Sequence, residues 1–261
     1  MKLPIYQVDA FTNKVFGGNP ACVVPLKKWA KDEILINIAQ ENAVPETAFF
    51  IEIENGFHLR WFTPDIEMDL CGHATLASAF VIKNFLNFSK NEILFKTLSG
   101  TLKVICDKNL FTLDFPSRAP VEADLPKIIS EAVSLPPLKT LKSRDYLLIY
   151  KNELEIKNIT VNANILNKLD LKTGGIIVSS KGDSADFVSR FFTPRSSILE
   201  DPVTGSAHCS LIPYWSKVLN KNKMRALQLS KRKGELICVE YGDRVLISGQ
   251  AKIYSKGSIW I

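Results

Sequence analysis

"RWFTP" occupies residues 60–64, and "RFFTP" occupies residues 190–194, an offset of 130. The match widens outward, since "FHLRWFTP" from Phe57 aligns with "FVSRFFTP" from Phe187 at the same offset. Downstream, "CGHATLASAF" begins at Cys71 and "TGSAHCSLIPYW" at Thr204, which pairs Gly72 with Gly205 at an offset of 133. Beyond that, "SGTLKVIC" around Gly100 resembles "KGELICVE" around Gly234, at an offset of 134. Three landmarks in one order and nearly one spacing mark a chain written twice. A period this long, present in only two copies, excludes a solenoid.

Each copy carries the same local signals. Alternating runs at residues 48–53 and 176–180 predict a strand, then a turn and a second strand ending in Phe-Thr-Pro. Proline has no amide hydrogen for a ladder, so the strand stops there. A glycine and then helical spacing follow: Leu76, Ala79, Phe80 and Lys83 in one copy, Ala207, Leu211 and Trp215 in the other. Pro213 is expected to kink or break the second helix. Each copy closes with a hairpin, turning at Asp107-Lys108-Asn109 or at Gly242-Asp243. The fold class is therefore α+β, two similar halves that each enclose one buried helix. Two prolines interrupt the pattern in "DFPSRAPVEAD", residues 114–124, which divides the chain into 1–117 and 118–261. The last strand is free to pack with the first half. Such halves are expected to face each other about a pseudo-twofold axis, with matching elements converging on one cleft.

The bulk composition narrows the function. Of 261 residues, 46% are hydrophobic and 23% charged, the balance of a soluble globular protein with a proper core. The longest apolar runs, such as residues 76–82, are too short for a membrane span. "MKLPIYQVDAF" has no charged segment followed by an apolar core, so a cytoplasmic location is expected. The five cysteines form an odd set with no C-x-x-C pair, and four lie in apolar runs, which speaks against disulfides or a zinc site. Sequons at Asn87 and Asn158 mean little without secretion. The net charge of +6 comes from scattered lysines with no aromatic interleaving, a solvated surface rather than a nucleic-acid footprint. The same field favours capture of a small anionic substrate.

Candidate chemistry gathers at the two glycines. Gly72-His73 and Gly205-Ser206 each open a helix, where unpaired N–H groups and the positive dipole end can hold a carboxylate or an enolate-like charge. Ordinary glycine punctuation explains either start alone; duplication favours the functional reading. Glu46, in "NAVPETAFF", stands at a strand mouth among apolar residues, which raise a carboxyl pKa towards the range useful for proton abstraction. Asp201 precedes the second helix, and His73 lies in the first turn of the first, where the dipole disfavours the imidazolium. Asn19, in a Gly-Gly-Asn-Pro turn, either serves the turn or offers an amide to a ligand. His208 is read as a neighbour of the site or as helix surface, not as catalytic.

Together "FGGNPACVV", "VPETAFF", "RWFTP", "DLCGHAT" and "EDPVTGSAH" resemble the PhzF-like phenazine-biosynthesis isomerase family, over about residues 6–250. The resemblance implies the diaminopimelate epimerase fold: two similar domains, each a barrel-like sheet around a central helix. It also implies a homodimer, and catalysis without cofactor or metal. On matching motifs it implies Glu46 as general base, His73 as substrate-positioning group and Asp201 as acidic partner. The amides of Gly72, His73, Gly205 and Ser206 would receive the substrate carboxylate. The best-known reaction of that family isomerises trans-2,3-dihydro-3-hydroxyanthranilate by moving a proton. Epimerases and racemases of the wider fold use two cysteines, one from each half. Here Cys71 holds the first such position and Thr204 the second, and a hydroxyl is too weak an acid to complete a thiol pair. The leading expectation is thus a cofactor-independent isomerase. The alternatives are an amino-acid epimerase using Cys71 and a non-catalytic small-molecule binder.

Overall fold

The computed structural model describes residues 1–172 and 174–261. The chain forms two compact units, one of Met1–Phe115 with Ile247–Ile261 and one of Pro116–Leu246.

The first unit begins β1 (Lys2–Ala10), β2 (Asn19–Leu26), α1 (Asp32–Asn42), β3 (Glu46–Ile53), β4 (Gly56–Phe62) and β5 (Glu67–Met68). It continues α2 (Gly72–Phe85), β6 (Glu92–Thr97), β7 (Gly100–Asp107) and β8 (Leu110–Pro116). Strand β3 runs parallel to β2 and antiparallel to β4. Strand β4 then pairs antiparallel with β5 and parallel with β6, and β6–β7–β8 is an antiparallel meander. The meander follows the period of two: β7 buries Leu102, Val104 and Cys106, and β8 buries Phe111, Leu113 and Phe115. Helix α2 is buried at every position from 72 to 79, the pattern of a helix enclosed on all sides rather than laid on a surface.

The second unit holds β9 (Val121–Glu122), α3 (Lys127–Ala132), β10 (Lys139–Lys142), β11 (Tyr146–Ile149), α4 (Glu153–Asn158) and α5 (Ala163–Leu166). It continues β12 (Ile176–Lys181), β13 (Phe187–Phe192), β14 (Glu200–Asp201), α6 (Gly205–Leu219), β15 (Lys223–Gln228) and β16 (Gly234–Tyr241). Strand β17 (Arg244–Gly249) follows, and β18 (Ala251–Trp260) returns to pair antiparallel with β1 of the first unit. Strand β12 runs parallel to β11 and antiparallel to β13. Strand β13 pairs antiparallel with β14 and parallel with β15, which pairs antiparallel with β16. The order and sense repeat those of β2 to β7. The duplication read from the sequence is therefore a duplication of topology.

The repeated pentapeptide closes the same turn in each unit. Arg60 donates Nε to Glu67 Oε1 at 2.7 Å and Nη2 to Oε2 at 2.7 Å. Arg190 makes the same fork on Glu200, at 2.7 and 2.9 Å. Each guanidinium lies over the phenylalanine two residues on, with 5.0 Å to the ring centre of Phe62 or Phe192. The threonine N–H then ties the turn, from Thr63 to the Ile66 carbonyl at 2.9 Å and from Thr193 to the Leu199 carbonyl at 2.8 Å. A planar fork that grips a carboxylate while stacking on a ring requires arginine, which lysine cannot imitate.

Two features differ from the sequence reading. Helix α1, with Leu35, Ile38 and Ala39 in one core with Val24, Phe49 and Phe62, and the insertion β9–α5 are elements that the one-helix pattern does not contain. They lie outside the repeat, and α3, α4 and α5 are too short for periodicity to reveal. Pro213 does not break α6, which runs on to Leu219. The proline frees the carbonyl of Cys209 four residues back, and the Arg118 N–H donates to that oxygen at 2.9 Å. A backbone bond from outside the helix thus replaces the missing one.

Candidate active site

In the first unit the site grows from the ends of three elements. Gly18, at φ +61°, is the last residue before β2; a Cβ there would lie 2.0 Å from the Ala10 carbonyl oxygen, so only glycine fits this turn. The next residue, Asn19, opens β2 and is fully buried. Glu46 opens β3, which runs parallel to β2 with Ala21 opposite Glu46. Cys71 is the N-cap of α2, and Gly72 and His73 form its first turn. Sequence-distant residues thus become neighbours because parallel strands and a helix all start at one end of the unit.

Their side chains interlock. Asn19 Nδ2 lies 3.1 Å from His73 Nδ1, and the Cys71 sulfur lies 3.5 Å from the same nitrogen. The ring nitrogen Nδ1 of His73 is thus flanked by the Asn19 amide and the Cys71 sulfur. The other ring nitrogen, Nε2, stands 3.1 Å from Glu46 Oε2. The contact lies off the N–H direction, and neither atom has a well-aligned hydrogen bond. His73 is 3% exposed, and its neighbour Glu46 keeps 15% of its side chain open to solvent.

The dipole argument for His73 is overturned. Burial works against the charged ring, yet the adjacent Cys71 sulfur and the Glu46 carboxylate raise the imidazole pKa well above its usual 6.5. Burial, and then the charge of Glu46, push the Cys71 thiol up as well. A Cys71 held as a thiol brings no charge to the ring, so the neighbour whose charge favours the imidazolium is the Glu46 carboxylate. Glu46, Cys71 and His73 offer a carboxylate oxygen, a sulfur and a ring nitrogen within 4.8 Å of one another, a set able to ligate a soft divalent ion. A thiol held protonated works against that use.

In the second unit α6 starts the same way. Thr204 is its N-cap, and Gly205 and Ser206 form the first turn. Neither Cys71 nor Thr204 caps its helix with a side-chain bond, so the positive end of each helix is not neutralised from its own cap. Thr204 Oγ1 donates to Asp201 Oδ2 at 2.5 Å. Fully buried Gln228 donates Nε2 to the Asp201 carbonyl at 2.8 Å and accepts the Thr204 N–H on Oε1 at 2.9 Å. Arg144, itself forked on buried Asp145, donates Nη2 to Ser206 Oγ at 2.9 Å.

The first unit thus assembles Asn19, Glu46, Gly72 and His73, and the second assembles Asp201, Gly205 and Ser206. His208 is not on the helix surface: it is fully buried, its Nδ1 is 2.8 Å from the Thr204 carbonyl, and burial lowers its pKa to about 4. Gln228 and Arg144 are absent from the sequence reading. Gln228 left a signal, because Met224, Ala226 and Gln228 share the buried face of β15, where a polar residue demands a reason. Arg144 left none.

The topology of these units defines a diaminopimelate epimerase-like α+β fold, with a helix start and a buried acid–base cluster in the first unit. A hydroxyproline epimerase from Agrobacterium vitis shares the fold at a TM-score of 0.66 and 7% identity, over 99% of this chain and 92% of that one. Residues 8–257 match the family described as phenazine biosynthesis-like protein, and the chain belongs to that family. A PhzF-family structure from Enterococcus faecalis superimposes at a TM-score of 0.95 with 43% identity, covering all of both chains. An uncharacterized isomerase of Pseudomonas aeruginosa is 42% identical over 259 residues, 99% of each protein. Among the described residues no helix is long and apolar enough to cross a membrane.

Proposed function

We propose that the protein is a cofactor-independent isomerase that moves a proton on a small carboxylate-bearing substrate, with Glu46 as general base. The observation that supports this reading is the buried series Asn19–His73–Glu46, with 3.1 Å between neighbours at each step. Glu46 takes the carbon-bound proton. His73, with Nε2 at 3.1 Å from Glu46 Oε2, keeps the carboxyl in place. First-turn N–H groups of Gly72 and His73 receive the substrate carboxylate, whose charge grows as the proton leaves, and Gly205 and Ser206 open α6 with donors of the same kind. Glu46, which now holds that proton, returns it at a different carbon; return by Asp201 instead requires its carboxyl to take up a proton from solvent first. The name of the uncharacterized isomerase of Pseudomonas aeruginosa agrees with this reading.

The test is a panel of small carboxylic acids with acidic C–H bonds, including trans-2,3-dihydro-3-hydroxyanthranilate, incubated in D2O and read by NMR and mass spectrometry. Wild type is expected to exchange and isomerise one class of the panel. Glu46→Gln should keep the fold and lose about 100- to 10,000-fold in both signals. Unchanged turnover in that variant removes Glu46 from its role.

A second reading, a one-thiol epimerase, draws on the 3.5 Å contact between the Cys71 sulfur and His73. It requires Cys71→Ser to abolish activity with inversion at a single carbon. The raised thiol pKa favours the isomerase instead.

A further inference from the structure

One connection of the first unit is longer than its counterpart and has a buried carboxylate at its root. Strand β1 pairs antiparallel with β2, which runs parallel to β3, and β10, β11 and β12 repeat that order and sense in the second unit. Residues 143–145 suffice to join β10 to β11, whereas residues 11–18 join β1 to β2. The longer connection leads into Asn19, whose amide reaches His73. Within it Phe11, Phe16 and Gly18 lie in the left-handed region, at φ +60°, +68° and +61°.

An aromatic residue keeps such a backbone only where its surroundings hold it there. Phe11 is fully buried, its ring so close to Gly249 that an added Cβ would lie 2.3 Å from it. Phe16 has no such anchor, being 69% exposed, and it meets Tyr254 edge-on with 5.7 Å between ring centres. Its backbone is what is held: the Phe16 N–H donates to Asp9 Oδ2 at 2.9 Å. Asp9 is 2% exposed and lies in β1 opposite Pro20, the residue after Asn19. Just before it the register shifts, since Gln7 pairs with Ser255 and Val8 with Ile253, which leaves Tyr254 as the extra residue of β18. A bulge of this kind re-aims the side chains beside it. The Thr12 N–H fastens the start of the connection to the Gln250 carbonyl at 3.1 Å. Burying a carboxylate is costly, so its bonds to the connection answer a need there.

We infer that Asp9 is a positioning residue for proton abstraction: it holds the backbone that carries Asn19, Asn19 holds His73, and His73 holds Glu46. This rests on the proposed function, in which Glu46 is the base. Every link lies within the first unit, at 2.9 Å from Phe16 to Asp9 and 3.1 Å at each of the two steps from Asn19 to Glu46. Asp9 itself stands outside the acid–base cluster and acts only through the amide.

The test is a double-mutant cycle of Asp9→Ala and Asn19→Ala, read by deuterium exchange of the carboxylic-acid panel in D2O. Either variant alone should lower exchange about 100-fold, the effect of an ångström-scale misplacement. Asp9→Ala added to Asn19→Ala should cost less than about twofold more, because its route to His73 is already cut. Additive losses, or no loss in either single variant, overturn the inference. Asp9→Asn keeps an oxygen for the Phe16 N–H and should lose less than about tenfold. A loss there as large as in Asp9→Ala overturns it too. A substrate-free arm separates this inference from the proposed function. The His73 ring resonances, assigned with His73→Gln, should move in Asp9→Ala as they do in Asn19→Ala. Turnover retained in Glu46→Gln removes the proposed function and leaves this arm to decide on Asp9; unmoved resonances in Asp9→Ala overturn the inference. In wild type the Phe16 N–H should exchange at least about tenfold more slowly than an open amide, although its side chain is exposed. That measurement does not depend on whether Asp9→Ala folds, and an unprotected Phe16 N–H overturns the inference.

Discussion

Replacing Arg190 by methionine tests whether the repeated pentapeptide is an energetic unit. The guanidinium donates to both oxygens of Glu200 and to the carbonyls of Ile156 and Ile159, at 3.1 and 2.7 Å, where α4 ends. Its side chain is 14% exposed and that of Glu200 is 24% exposed, so water only partly replaces what is lost. Breaking a buried pair costs about 3–5 kcal/mol, and an exposed one about 0–1 kcal/mol. The partial exposure places Arg190→Met between these, at roughly 2–4 kcal/mol, including the lost contact over Phe192. The control is Arg195→Met, whose partner Asp170 lies in a pair with side chains 55% and 61% exposed; it should cost under about 1 kcal/mol. The assay is urea unfolding at pH 7.5 followed by circular dichroism, with m-values checked for constancy. Combining Arg190→Met with Glu200→Met should recover at least about 1 kcal/mol, because no unpaired charge then remains. If Arg190→Met costs no more than Arg195→Met, the repeat marks common ancestry and the energetic argument fails.

His208 makes the second unit sensitive to acid. Its folded pKa of about 4 lies below the ordinary 6.5, so the unfolded chain binds the proton more readily. Stability is then full above pH 6.5 and is lost as pH falls towards 4, by up to about 3 kcal/mol. Urea midpoints at pH 7.5 and 4.5 should show that loss in wild type and a flatter profile in His208→Leu; equal slopes refute it. At the first unit, Gly18→Ala forces a side chain into left-handed backbone and onto the Ala10 carbonyl. It should destabilise by at least about 2 kcal/mol and release Asn19 from His73, visible in the histidine NMR resonances. Gly257→Ala, with nothing within 4 Å of the new carbon, should stay within about 0.5 kcal/mol, and a similar loss at both positions counts against the packing argument.

Much of the candidate site was legible because the chain repeats itself. The offsets alone located both helix starts, and residue type then singled out Glu46, His73 and Asp201 near them. The protonation preference of His73 was not legible, and the local argument gave the wrong sign. A helix dipole is written in the first turn of α2, but the Glu46 carboxylate that outweighs it comes from another strand. Gln228 was overlooked for a related reason: its partners lie 24 and 27 residues away, and only the folded unit sets them side by side.

By itself, then, the amino-acid order determined the duplication, the α+β class, the two buried helices and the residue types able to move a proton. Such properties follow from period, turn chemistry and composition, which act between near neighbours in the chain. Tertiary structure alone decided which groups flank the two nitrogens of His73, which anion raises its pKa, how Pro213 sits in an unbroken helix, and that Thr204 donates to Asp201. Each of these depends on a distance of about 3 Å between groups brought together by strand pairing, and electrostatics and hydrogen bonds are decided at that range.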